Sequence, residues 1–214
     1  MSVSVKDYGV LERGAESSER RNRILDAAER LFAQGGYAAT SMRDIAQASK
    51  VNVATIYYYC PNKAQLCLSL YARVVERMTA LVGETFAEGG GFEQVAVNLV
   101  NRVTEFFVTN PSIPRLFMRW ELGEIPELGE ERKDVYRPLF ERVSDVIQDR
   151  VAAGQLRAVD AKTFVAGAAG VFFHLAAGLS GPNEVPATPE RLALIQKHAR
   201  LFILGSLGLD PQAD

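Results

Sequence analysis

Residues 40–63 read TSMRDIAQASKVNVATIYYYCPNK, and their spacing decides the fold of the N-terminal third of the chain. Ser41 followed by Asp44 makes a capping box: the hydroxyl takes one unpaired helix N–H and the carboxylate takes another, so a helix starts there. Met42, Ile45 and Ala46 then share its inward face. Asn52 caps a second helix from Val53, and Asn62, with Gln65 three places on, caps a third directly after Pro61. The segment between those last two caps is too short to span a core. It presents Thr55, Tyr57, Tyr58 and Tyr59, with only Val53 and Ile56 as aliphatic anchors. Two short helices joined by a tight turn, the second ending in aromatics, read as a helix-turn-helix. The second helix fits a DNA major groove, its first residues approaching base edges while tyrosine hydroxyls and the helix N-terminus meet phosphate oxygens.

Working outward, residues 1 to about 18 are polar and patternless and are expected to form a flexible arm. Arg20, Arg21 and Arg23 open the first helix, where they can touch phosphates from outside the groove. Ile24, Ala27, Ala28, Leu31 and Phe32 make its buried stripe, and Gly35-Gly36 ends it. On the other side, Lys63 to about Ala87 carries Leu66, Leu70, Val74, Met78 and Leu81 at near-helical intervals. That helix is long enough to leave the head and enter the body. Helical patterns continue over Phe92–Val108, Ser112 to about Leu122, Glu131–Ala153, Ala161–Leu179 and Pro189–Leu207, with breaks at Gly89-Gly90-Gly91, Asn110-Pro111 and Gly123 to Pro126. No strand alternation or hairpin signal appears. The expected fold is all-α with about nine helices: a flexible arm over 1–18, a three-helix head over 19–65 and a helical body over 66–214.

The run ILDAAERLFAQGGYAATSMRDIAQAS, then VATIYYYCPNK and a long helix, resembles the DNA-binding domain of the TetR family of transcriptional regulators from about Arg20 to Arg77. The matching pattern is helix, glycine turn, T-S-x-x-x-I-A and T-[LI]-Y-x-x-F-x-[NS]-K; the remaining two thirds match only in helical character. The chain departs from that pattern at four places. Glycine is usual where Lys50 stands, and a left-handed conformation there costs a non-glycine residue roughly 1 kcal/mol. Glycine is also common at Ala54, histidine at Tyr59 and phenylalanine at Cys60, so operator sequence does not carry over from a relative.

By position in the matched motif, the resemblance implies Arg43, Val53, Ala54, Thr55 and Tyr59 for base readout and Thr40, Tyr57, Tyr58 and Lys63 for phosphate contact. Arg43 suits a guanine, because its fork spans O6 and N7. Its bland alternative is a surface ion pair with Asp44 or another neighbour. Val53 and Ala54 can meet only thymine methyls. Lys63 opens a helix, where a cation opposes the dipole, and a nearby phosphate would explain it.

Charge agrees with a nucleic-acid partner only when counted by segment. The chain of 214 residues has a net charge of −2, yet Glu19–Arg77 holds nine Lys or Arg against five Asp or Glu, a net of +4, and Met78–Asp214 a net of −5. An apolar content of 48% supplies a core. No continuous apolar run long enough for a membrane span and no signal-peptide core appears, so a cytoplasmic protein without membrane contact is expected. Cys60 and Cys67 form neither a disulfide framework nor a metal site, and no cofactor is expected. Cys60 near a helix start is a conceivable redox sensor, with packing the commoner role.

The body is less specific. AGAAGVFFHLAAG permits close backbone approach and LALIQKHARLFILGSL is apolar on more than one face, more apolar surface than one small body hides. The resemblance implies that these last two helices form a homodimer interface, and two recognition helices about 34 Å apart would read an inverted repeat in double-stranded DNA. It also implies an effector pocket among central helices rich in aromatics. Arg102, Phe106, Arg115, Trp120, Glu121, Tyr136, Phe172 and His174 are the candidates to line it, around a small, mainly apolar ligand, anionic if Arg102 or Arg115 faces inward. The leading reading is thus a ligand-responsive repressor; the alternative is a regulator without an effector, whose body dimerises or docks another protein. An enzyme is disfavoured: His174 and His198 are the only histidines, no phosphate-cradling loop, metal-ligand cluster or nucleophile motif occurs, and the pair Glu121 and Glu124 on a polar loop proves nothing.

Overall fold

The computed structural model describes residues 14–123, 125, 128–180 and 188–212, and among them every regular element is helical. The helices are α1 (Gly14–Gly35), α2 (Met42–Ser49), α3 (Val53–Tyr59), α4 (Lys63–Ala87), α5 (Phe92–Thr109), α6 (Ser112–Glu121), α7 (Glu131–Ala152), α8 (Ala161–Ser180) and α9 (Pro189–Leu207). The expected arm over 1–18 lies outside the described residues up to position 13. From Gly14 onward it is helical instead, because Glu16 in the first turn suits the helix dipole and pairs with Arg20 one turn on at 2.5 Å. Of the expected punctuation between α6 and α7, Pro126 also lies outside the described residues, as does Glu124 of the carboxylate pair.

The local rules that place α2, α3 and α4 operate as read. Asp44 N–H donates to Ser41 Oγ and Ser41 N–H returns a bond to Asp44 Oδ2, at 3.2 and 2.8 Å. Asn52 Oδ1 accepts from Ala54 N–H at 2.9 Å, and Asn62 Oδ1 from Gln65 N–H at 2.8 Å. Lys50 terminates α2 in the left-handed conformation, φ 56°, its N–H reaching the carbonyls of Ala46 and Gln47. It is the only non-glycine with positive φ among the described residues. The turn keeps the geometry glycine would give it and carries the strain of a Cβ. Lys50→Gly should therefore stabilise the protein by about 1 kcal/mol, seen as a rise of roughly 2–4 °C in thermal denaturation. An unchanged or lower midpoint contradicts this.

The chain forms two compact units. The first comprises the described residues up to Val75 together with Leu116–Tyr136; the second comprises Glu76–Arg115 and Arg137 onward. Helices α4, α6 and α7 each contribute to both. In the first unit α2 packs on α1 and α3, and Ile24, Leu25, Ala27, Ala28, Phe32, Ile45, Ile56, Leu66 and Leu70 are buried. Arg73 of α4 binds Asp26 at 2.6 Å and Glu29 at 2.9 Å on α1, tying the long helix to the first one. In the second unit α5 packs on α8 and α9, and Val97, Val100, Ala199, Ile203 and Leu204 form its apolar centre. A second cluster joins Ile147, Leu156, Ala161 and Leu207.

Candidate nucleic-acid interface

A recognition surface needs side chains that are free to leave the protein, held by others that are not. Ile45 of α2 and Ile56 of α3 are fully buried and anchor the two helices. Above them Arg43 and Ala54 are exposed, as are Tyr57 at 50% and Tyr58 at 61%, large aromatic surface that folding leaves in water. Val53 and Thr55 are half-buried. The carboxylate of Asp44, one possible ion-pair partner in the alternative reading of Arg43, is occupied by the α2 cap. The Ser41 hydroxyl and then the Ser41 N–H hold that carboxyl below its usual range.

Three of the residues expected at DNA have another place. Thr40 is buried, and its hydroxyl donates to the Gly36 carbonyl at 2.9 Å, so it is not presented to a phosphate. Lys63 donates from Nζ to the carbonyls of Tyr37 and Thr40 at 2.8 and 3.0 Å, with its ammonium 4.1 Å from the Tyr37 ring centre. The carbonyl dipoles at the α1–α2 turn, and the Tyr37 ring, thus explain a cation at this helix start without a phosphate. Tyr59 is half-buried; its hydroxyl lies 2.9 Å from Ser17 Oγ and its ring meets Tyr58 edge-on at 5.4 Å. It braces α3 against α1 and is not free to read a base. Nothing in the sequence pairs Ser17 with Tyr59, 42 residues away.

The thiols are structural. Cys60 is buried, and desolvation pushes its thiol pKa up against the smaller lowering effects of Ser69 and Arg21, the opposite of an activated thiolate. Cys67 is fully buried and accepts a bond from Trp120 Nε1–H at 3.2 Å. Cys60 is thus unsuited to a redox sensor, correcting the expectation from its place near a helix start. No group of three or more metal-ligating side chains occurs among the described residues.

The candidate effector residues fall in both compact units. In the first, Trp120 is buried with its ring against Tyr71 at 4.7 Å and Phe117 at 5.0 Å, and Tyr136 lies 6.4 Å from Tyr71. Burial, then the nearby Glu121, pushes the Tyr71 phenol pKa up. Arg132 donates to the Trp120 carbonyl, and its guanidinium lies 3.9 Å from the exposed carboxylate of Glu121. This is a packed aromatic core, with Glu121 at its wet edge and turned to Arg132. In the second unit Phe106 packs edge-on against Phe107 at 5.3 Å and under the Arg77 guanidinium at 4.8 Å. Phe107 in turn meets Phe172 at 6.4 Å and Phe173 at 5.1 Å. Arg102 does not face inward to an anion: it is bound to Glu88 at 2.6 Å and Thr85 Oγ1 at 3.3 Å. His174 is exposed on α8, not within the unit, and Arg115 is half-buried.

On α9 of the second unit, Leu194, Leu201 and Phe202 stand exposed, Phe202 at 62%, and on α8 the open glycines 167, 170 and 178 have nothing within 4 Å of a Cβ position. No helix among the described residues is long and apolar enough to cross a membrane.

Comparison with known proteins agrees with this geometry. The sequence profile of "Bacterial regulatory proteins, tetR family" matches residues 24–70, the segment from the buried stripe of α1 into α4. The HTH-type transcriptional repressor KstR of Mycolicibacterium smegmatis is 35% identical over 109 residues, covering 50% of this chain and 53% of that protein. The chain thus spans about half the length of the curated relatives it matches. Among solved structures, the fatty acid degradation regulator FadR from Bacillus halodurans superimposes with a TM-score of 0.73 at 19% identity, covering 90% of this chain and 96% of that one. The transcriptional regulator FadR from Bacillus subtilis, solved in complex with stearoyl-CoA, does so at 0.70 and 16%, covering 86% and 98%. Those likenesses establish a shared fold. The profile match over residues 24–70 shows that the helix-turn-helix segment is similar to that of the tetR family of bacterial regulatory proteins.

Proposed function

We propose that the protein is a homodimeric transcriptional repressor that binds an inverted-repeat operator through α2 and α3 and is released by a small, mainly apolar ligand. The observation that carries the reading is the exposed set Arg43, Ala54, Tyr57 and Tyr58 on two capped helices anchored by Ile45 and Ile56, within the segment that matches the family. Arg43 supplies a bidentate donor for guanine, Ala54 and Val53 apolar contact for thymine methyls, Thr55 a hydroxyl, and the two tyrosines phosphate ligands. Thr40 and Lys63 shape the turn before α2 and act on DNA only by holding it in place.

Dimerisation is supported by the exposed leucines and phenylalanine of α9 beside the open glycines of α8, an apolar face that a second copy would remove from water. Ligand response is supported by the aromatic interior of the second unit and by the stearoyl-CoA bound to the similarly folded Bacillus subtilis regulator. Release requires that the ligand bind more tightly to a conformation whose two heads are wrongly spaced for successive major grooves. The chain works on DNA in the cytoplasm as a regulator and not as an enzyme.

Fluorescence anisotropy with DNA from upstream of the protein's own gene, at two salt concentrations, tests the proposal. Saturable binding of two chains per site, weakened by salt and by Tyr57→Ala, is expected. Equal, weak binding of wild type and variant to every sequence is incompatible with it.

A further inference from the structure

Six serine and threonine side chains are buried among the described residues: Thr40, Ser49, Ser69, Thr85, Thr104 and Ser144. Five have partners. Thr40 donates to the Gly36 carbonyl, Ser49 to Ile45, Thr85 to Leu81 and Thr104 to Val100, each four residues back, and Ser69 meets Cys60 Sγ. Ser144, only 2% exposed, has none.

That exception is informative because the cheap remedy is at hand. A serine in mid-helix satisfies itself by turning its hydroxyl to the carbonyl four residues back, as Ser49, Thr85 and Thr104 do here. For Ser144 that acceptor is Phe140, within α7. A buried hydroxyl that declines the bond gives up its hydration without replacement, and native interiors rarely leave such a group unpaired without a reason. Its neighbours on the inward side of α7 are apolar. Ser144 sits one turn after Phe140 and one turn before Ile147, and Ile147 and Val143 belong to the cluster with Leu156, Ala161, Phe164 and Val165. No Lys, Arg, Asp or Glu is buried among the described residues, and Arg102 is held by Glu88 and Thr85. Arg200, whose Nε is buried without a partner, stands on α9 and bonds Asn101 Oδ1 through Nη1 at 2.9 Å, so a carboxylate or phosphate brought to Ser144 would find no counter-charge on the buried side of α7.

We infer that the Ser144 hydroxyl is the polar anchor of the effector site, and that it takes an uncharged, mainly apolar ketone or ester by donating its hydrogen bond to the carbonyl oxygen. This rests on the proposed ligand response and narrows its chemistry. It selects a neutral oxygen acceptor on an apolar frame over a fatty carboxylate of similar size.

The test uses the full chain without DNA and the neutral naphthyl ketone dye Prodan, whose emission shifts to the blue in apolar surroundings and back toward the red when its carbonyl accepts a hydrogen bond. Wild type should bind Prodan saturably. Ser144→Ala should bind it about five- to ten-fold more weakly, with emission further to the blue, while Ser144→Thr keeps the donor and most of the affinity. Dodecanoate should compete poorly with the dye, and dodecan-2-one well. The ligand-free Ser144→Ala protein should melt at the same temperature as wild type or above it, since an unpaired hydroxyl is removed. Absence of Prodan binding, equal affinity and emission in wild type and Ser144→Ala, or an alanine variant that melts several degrees lower because the hydroxyl held a structural bond, each overturns the inference. Since no DNA is present, Ser144-dependent binding by a protein that ignores its upstream DNA would sink only the repressor reading. The converse pattern would sink only this one.

Discussion

Arg43→Ala should lower affinity for the operator by about 1–3 kcal/mol, roughly five- to a hundred-fold, and relax the preference at one base pair of each half-site. Arg43 is exposed on α2, and the carboxylate nearest in sequence, Asp44, is committed to the Ser41 cap, so the guanidinium fork is available for bidentate recognition. Two measurements separate this from a simple loss of positive charge. Affinity for unrelated DNA should fall much less, and the slope of log affinity against log salt should stay nearly unchanged, since loss of a phosphate contact would lower it by about one. Circular dichroism and melting should be unchanged, because the side chain supports nothing in the fold. An equal loss on specific and unrelated DNA would show that Arg43 meets a phosphate and not a base.

The largest effect on stability is expected at Trp120. Its side chain is 1% exposed, stacks edge-on with Tyr71 and Phe117, and donates to Cys67 Sγ. Truncation to alanine removes the largest buried side chain of the first unit and should cost about 3–5 kcal/mol, a large share of the ~5–15 kcal/mol that holds a typical protein folded. A fall of roughly 6–20 °C in the melting temperature follows. Cys67, now fully buried, should also become reactive toward a thiol reagent under native conditions, whereas in wild type it reacts only on unfolding. A variant that melts within a degree or two of wild type would show that this aromatic group is not a structural core. In that case Trp120 and Tyr136 would return as candidates for lining a ligand pocket.

What was legible from sequence follows the range of the forces involved. Helix limits are set by caps and breakers a few residues apart, and Ser41 with Asp44, Asn52, and Asn62 with Gln65 each act on their own neighbours. At Lys50 the sequence shows only the cost of a left-handed residue; that the turn keeps this conformation and is not altered by the lysine is seen only in the structure. Side-chain roles were less legible. Lys63 reads as a phosphate ligand until the carbonyls of Tyr37 and Thr40, more than twenty residues away, are found beneath it. Tyr59 reads as a base contact until Ser17 appears beside it, and Trp120 as a pocket wall until Cys67 is seen to accept its N–H. Each correction comes from a partner distant in sequence, brought near by helix packing that periodicity does not specify. The orphaned hydroxyl of Ser144 is the limiting case: one unremarkable serine in a helical stretch, distinguishable from Thr85 or Thr104 only once every hydrogen bond is placed.

The most direct test of the central claim is selection of bound sequences from a pool of random double-stranded DNA by the purified full-length protein. A head that reads bases through α2 and α3 in a two-fold assembly should enrich a single inverted repeat, its half-site centres about one helical turn or a small multiple apart, and Arg43→Ala should lose one position of each half-site. Recovery of no common sequence, or of an unpaired half-site bound by a single chain, contradicts the account.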